Sequence, residues 1–137
     1  MKSTLQPGLS HVRRITIDRD RTISFMGEEA RVYSTPSMIR DIEHTCRTLI
    51  LEHADPGEES VGVEVAVKHL AATLPGMTVE IEVRVTAVEE RKVQFAVSVK
   101  DELEPACTGT HARFIVDVAK SAERRAAKLA RWEAMRK

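Results

Sequence analysis

Along this 137-residue chain the period of the apolar side chains changes from helical to strand-like after residue 57, and nothing else constrains the fold as strongly. Met38, Ile39, Ile42, Cys46, Leu49 and Ile50 recur three and four apart, which predicts one helix with a single buried stripe running to about His53. Ser34-Thr35-Pro36 opens it: a hydroxyl side chain can accept from a free N–H, and proline fits the first turn, with Thr35 read as the cap. Asp55-Pro56-Gly57 closes it. From residue 61 the period is two. Val61, Val63, Val65 and Val67 alternate with Gly62, Glu64, Ala66 and Lys68, and the pattern repeats at 77–85, 93–99 and 112–118. Leu74-Pro75-Gly76, Glu89-Glu90-Arg91 and Glu104-Pro105 separate the runs. Four consecutive alternating strands with short connections predict an antiparallel sheet, apolar on one face. Val12, Ile15 and Ile17 offer a further strand. The economical packing is an α+β sandwich in which the sheet wraps the one long helix.

Charge and composition exclude several functions. Twenty-one Lys and Arg balance twenty-one Asp and Glu, so the chain lacks the positive excess of a nucleic-acid or membrane-surface binder. Aromatics are 4%, too few for base stacking to be a main activity. The balance is uneven, because residues 119–137 hold seven positive and two negative side chains. That Ala/Lys/Arg/Glu-rich segment predicts a basic C-terminal helix of charge +5 after a domain spanning residues 1–118 with charge −5. Cys46 and Cys107 are far apart inside patterned segments and read as buried thiols of a reducing compartment. With no apolar leader or membrane-length run, the expectation is a cytoplasmic protein.

A few residues stand out as chemistry. His69 ends the Val61–Val67 row, placing an imidazole beside apolar side chains, although a turn histidine fits equally well. Glu43 flanks the buried stripe of the helix, as a partly withdrawn carboxylate or as an ordinary solvent partner of Arg47. Thr35 sits where a helix N-terminus offers free N–H groups to a developing oxyanion. His111 and Arg113 lie opposite the apolar side of the last strand, where they could face a dimer neighbour or a ligand phosphate, with solvent as the default expectation. The five histidines lack zinc-ligand spacing, and no phosphate loop or nucleophile elbow is present, so no metal or separate cofactor is expected.

Read together, S-T-P-S-M at 34–38, Glu43, D-P-G-E-E-S-V-G at 55–62, V-K-H-L-A-A-T-L-P-G at 67–76 and T-G-T-H-A-R at 108–113 resemble the fluoroacetyl-CoA thioesterase family of hotdog-fold acyl-CoA thioesterases. The resemblance implies a homodimer with active sites at the subunit interface that hydrolyses a short acyl-CoA to carboxylate and CoA. It implies catalytic roles for Thr35, Glu43 and His69, with Glu43 orienting His69, and places Gly62, Tyr33 and Arg113 near the substrate. One segment departs from the family: its aromatic-rich lid is shorter here, Met26–Arg31, with no phenylalanine and with Tyr33 as the nearest aromatic. The expectation is therefore a general acyl-CoA thioesterase. The alternatives are a hotdog hydratase or dehydratase and a non-catalytic acyl-CoA-binding module.

Overall fold

Helix α1 (Thr35–Leu51) buries Met38, Ile42, Cys46, Leu49 and Ile50 along one stripe, and the sheet forms around it. The structure, a computed structural model, describes residues 1–136; Lys137, the last residue of the expected basic helix, lies outside them. β1 (Ser10–Thr16) precedes a two-stranded ribbon of β2 (Thr22–Ile23) and β3 (Val32–Tyr33), which leads into α1. Then follow β4 (Glu58–His69), β5 (Thr78–Glu89), β6 (Lys92–Lys100), β7 (Pro105–Asp117) and α2 (Val118–Met135). The five long strands form one antiparallel sheet in the order β1-β5-β6-β7-β4. α1 packs against β1, β5 and β4, so it is wrapped from both edges. This is the expected hotdog arrangement.

β5 and β6 keep the predicted alternation, and Val79, Ile81, Val83, Val85, Val93, Phe95, Val97 and Val99 are all buried against the helix. β7 has the opposite phase to the one predicted. Cys107, His111, Arg113 and Ile115 are buried, whereas Phe114 faces out and Val118 begins α2. The apolar count favoured the even-numbered row, but the pairing with β6 sets the phase and turns His111 and Arg113 inward.

β4 departs further from its pattern. It pairs with β7 as Gly62↔Arg113, then resumes at Glu64↔Ala112, so one extra residue, Val63, forms a bulge. Directly paired residues share a face. Ser60 and Gly62, opposite Ile115 and Arg113, therefore face α1 before the bulge, and Val65, Val67 and His69 face it afterwards. The predicted continuous row from Val61 to His69 is thus split. β4 is also an edge of the sheet, which leaves Val61, Val63 and Val65 exposed by 45%, 53% and 42%.

The entry to α1 is fastened by a buried charge that the patterns did not reveal. Asp41 accepts from Arg21 Nε at 2.9 Å and from the Tyr33 hydroxyl at 2.6 Å, and it is almost fully buried. Burial, with the Asp41 carboxylate beside it, pushes the Tyr33 hydroxyl above its ordinary range. Arg21→Leu would strand this carboxylate without its cation, and urea denaturation should show a loss of about 3–5 kcal/mol. Tyr33→Phe removes one neutral donor and should cost about 1–2 kcal/mol.

Candidate active site

The helix start holds two hydroxyls with different duties. Ser34, in extended conformation, is the cap: its Oγ accepts from Ser37 N–H at 3.2 Å. This corrects the reading of Thr35 as the cap. Thr35 is the first helical residue, and its Oγ1 lies 2.7 Å from His69 Nδ1. Of the helix's first N–H groups, Ser37 donates to the cap, Met38 to Ser34 O, and Pro36 has none, so Thr35 N–H alone is left without a partner among the described residues. A developing negative charge at this terminus would meet that single donor.

His69 reaches Thr35 because β4 ends there and the bulge has turned its side chain to the helix face. Leu70 N–H donates to Ala106 O at 2.7 Å, and Tyr33 N–H donates to Thr73 O at 2.8 Å, which fixes the turn that follows. The imidazole Nε2 is buried without a hydrogen-bond partner among the described residues. It adjoins a cleft of about 330 Å³ lined by Val32, His69, Leu70, Ala71 and Ala72. A hydroxyl on Nδ1 gives the imidazole a partner with which to exchange a proton, while Nε2 stays buried and unpartnered among the described residues.

The other candidates gather elsewhere. Eight residues of helix separate Thr35 from Glu43, about 12 Å of rise, so the two carboxylate oxygens of Glu43 lie away from His69. Glu43 Oε2 instead accepts from Arg113 Nη1 at 3.1 Å. Arg113 is buried and tightly held: Nε donates to Ser60 Oγ at 2.8 Å, Nη2 to Ser60 O at 2.9 Å, and Nη1 to His111 Nε2 at 3.2 Å. His111 Nδ1 is 2.9 Å from Glu64 O, which can only accept, so the proton is on Nδ1 and Nε2 is the acceptor. Burial holds this imidazole below its ordinary range. A Cβ on Gly62 would fall 2.6 Å from Glu43 Oε2, so only glycine leaves room for the carboxylate there.

Within one chain, then, Thr35 and His69 are brought together, while Glu43, Gly62 and Arg113 form a second group with Ser60 and His111. The expected orientation of His69 by Glu43 is not made in the single chain. His111 and Arg113, expected in solvent, are inside because of the phase of β7. Tyr33, named as a substrate contact, is fully buried with its hydroxyl committed to Asp41. Phe25, which directly precedes the segment taken as the lid and so is nearer to it than Tyr33, is 89% exposed beside Met26. Behind it Glu28 is clasped by Arg31 and Arg19, which hold its carboxyl down at about 2. The cysteines are buried, and burial pushes the Cys46 and Cys107 thiols up to about 12 and 11, far from nucleophilic thiolates. The described residues contain no group of three potential metal ligands. Ser60 lies within the 55–62 motif, but its role was not read from it, because that role depends on the strand pairing.

A family model described as fluoroacetyl-CoA-specific thioesterase matches residues 17–119. The fluoroacetyl-CoA thioesterase of Streptantibioticus cattleyicolor is 28% identical over 127 residues, covering 88% of this chain and 91% of that protein. The crystal structure of a point mutant of a fluoroacetyl-CoA-specific thioesterase superposes with a TM-score of 0.85 at 26% identity, covering 93% of this chain and 99% of the other. A Thermus thermophilus protein described as a thioesterase superfamily member gives the same TM-score, 0.85, at 30% identity, with 93% and 96% covered.

The division of labour at the helix start is open to measurement. Ser34→Ala removes the cap and should lower unfolding free energy by about 1 kcal/mol. Thr35→Ala should cost less than half as much in the same urea titration, since its exposed hydroxyl satisfies no backbone group. Equal losses would return the cap to Thr35.

Proposed function

The chain belongs to the fluoroacetyl-CoA-specific thioesterase family, and from that premise we propose that it hydrolyses a short acyl-CoA thioester to a carboxylate and free CoA, with Thr35 and His69 at the reacting carbonyl. The observation that carries this reading is the 2.7 Å contact between Thr35 Oγ1 and His69 Nδ1 beside an open cleft. With Thr35 O–H donating to Nδ1, His69 is poised to take the proton as oxygen attacks the thioester carbon. The attacking oxygen is Thr35 Oγ1 itself, giving an acyl-Thr35 that water then cleaves, or a water that Thr35 positions. Thr35 N–H is the donor available to the oxyanion. The imidazolium returns its proton to the departing CoA sulfur. An acyl-Thr35 adduct in acid-quenched mass spectra separates the two routes.

The edge strand supports a homodimer. β4 presents an unpaired edge together with exposed Val61, Val63 and Val65, and Phe114 beside them is 41% exposed. Antiparallel pairing of two such edges across a two-fold axis would turn the Gly62 end of one strand towards the His69 end of the other. The Glu43 of the partner subunit would then approach Thr35 and His69, with Gly62 and Arg113 flanking the acyl group. Glu43 Oε1, which has no partner among the described residues, is the atom left to hold water or orient His69.

Free-thiol release from a panel of acetyl-, short-chain and aryl-CoA thioesters tests the activity. Wild-type protein should turn over at least one, and His69→Ala and Thr35→Ala should each lower kcat/KM by about 100-fold or more. Stoichiometric acyl-CoA binding without thiol release would favour the binding module, and a change in enoyl absorbance alone would favour the hydratase. For the dimer, Val63→Lys should shift sedimentation to the monomer and abolish turnover while leaving the far-ultraviolet dichroism intact. A fully active monomer would refute the shared site.

A further inference from the structure

Arg113 is more firmly fixed than a simple ion pair with Glu43 requires. Both Nη1 hydrogens are committed, one to Glu43 Oε2 at 3.1 Å and one to His111 Nε2 at 3.2 Å. Ser60 takes Nε–H on its hydroxyl and one Nη2 hydrogen on its carbonyl. The guanidinium is therefore gripped along three edges, with Ser60, His111 and Arg113 all buried. His111 can accept from a cation only while its own proton is on Nδ1, and Glu64 O enforces that tautomer. Glu64 is the residue at which β4 resumes pairing after the bulge.

We propose that His111 and Ser60 are positioning residues for Glu43, acting through Arg113, so that the bulge carbonyl, His111 and the guanidinium together fix where the carboxylate stands. This rests on reading Glu43 as part of the thioesterase site. Gly62 completes the device by leaving the space that the carboxylate occupies. The charged groups facing His111 are Arg113 from its own strand and Glu43 from α1, and the Cys46 thiol of α1 adjoins that same Arg113–Glu43 pair. Protonation of His111 would place a second cationic N–H against Arg113 Nη1 and release the guanidinium. Burial holds His111 below the ordinary imidazole range, so the neutral ring and the arrangement it supports are kept at neutral pH and lost as the pH falls through its lowered pKa.

Three variants test this. His111→Leu removes the acceptor while keeping apolar bulk; kcat should fall by about 100-fold with KM changed much less, as expected when a catalytic group is misplaced. His111→Gln restores an acceptor near the Nε2 position and cannot titrate, so it should recover most of kcat and flatten the acid limb of the pH profile. Ser60→Ala should lower kcat in the same direction and keeps the test alive if the leucine variant does not fold. The Arg113 Nε–H resonance reports the geometry without any turnover: it should be protected from exchange in the wild type and lose protection in His111→Leu. Protection that responds in this way, in a protein that hydrolyses no acyl-CoA, would overturn the functional reading and leave the clamp. A folded His111→Leu with wild-type kcat and undiminished protection would overturn the clamp, as would equal loss of kcat in the leucine and glutamine variants.

Discussion

One extra residue in β4 governs what the rest of the molecule can do. Side chains on a strand alternate faces, so Gly62 and His69, seven residues apart, would point to opposite sides of a regular strand. The bulge at Val63 changes the parity between them and turns both towards α1. Before the bulge this face offers a glycine against which Glu43 and Arg113 meet; after it, the same face carries an imidazole to Thr35. Without the bulge one of the two groups would be lost to the outer face. His111 is bonded to the backbone at this point, through Glu64 O, so the irregularity is held by the side chains it serves.

The second dependency is the position of the helix start. Thr35 is useful only if its hydroxyl is free and aimed at the end of β4. Ser34 supplies the first condition by capping in its place, and the Asp41–Arg21–Tyr33 network supplies the second by tying the preceding ribbon to the helix. A buried carboxylate is costly to desolvate, so its two donors are not interchangeable with solvent. The chain thus assigns stability and chemistry to neighbouring residues: Tyr33 and Ser34 hold the turn, and Thr35 faces outward from it.

Much of the fold was legible in the sequence. The helix over residues 35–51 and strands β5 and β6 followed from their periods, because each is packed on one side by a continuous apolar partner that the spacing must match. β4 and β7 were located but wrongly faced. In β7 the apolar residues lie on the outer side, since the inner side is occupied by His111 and Arg113, and in β4 the bulge breaks the row. Both failures occur beside the candidate site, where polar groups displace apolar ones from the face that covers the helix. Thr35 and His69 were named from local signals and do meet. Glu43 and Arg113 were named, but their mutual pairing was not, and Ser60, although inside the 55–62 motif, gave no local sign of its grip on Arg113.

Local chemistry determined the two helices and the long strands, though not the β2–β3 ribbon or the full length of β7, and it placed a hydroxyl, an imidazole and a carboxylate at three points along them. It did so because helix and strand periods and capping residues act over a few neighbours and are written consecutively. Which of those groups touch was decided by the tertiary structure. Strand register, the bulge and the edge position of β4 arise from pairing between residues some fifty positions apart, such as Ser60 with Arg113 and Glu64 with His111. One residue of slip there reverses every face. The apolar edge of β4 belongs to the same class, since its register, bulge and place at the end of the sheet together leave those valines exposed.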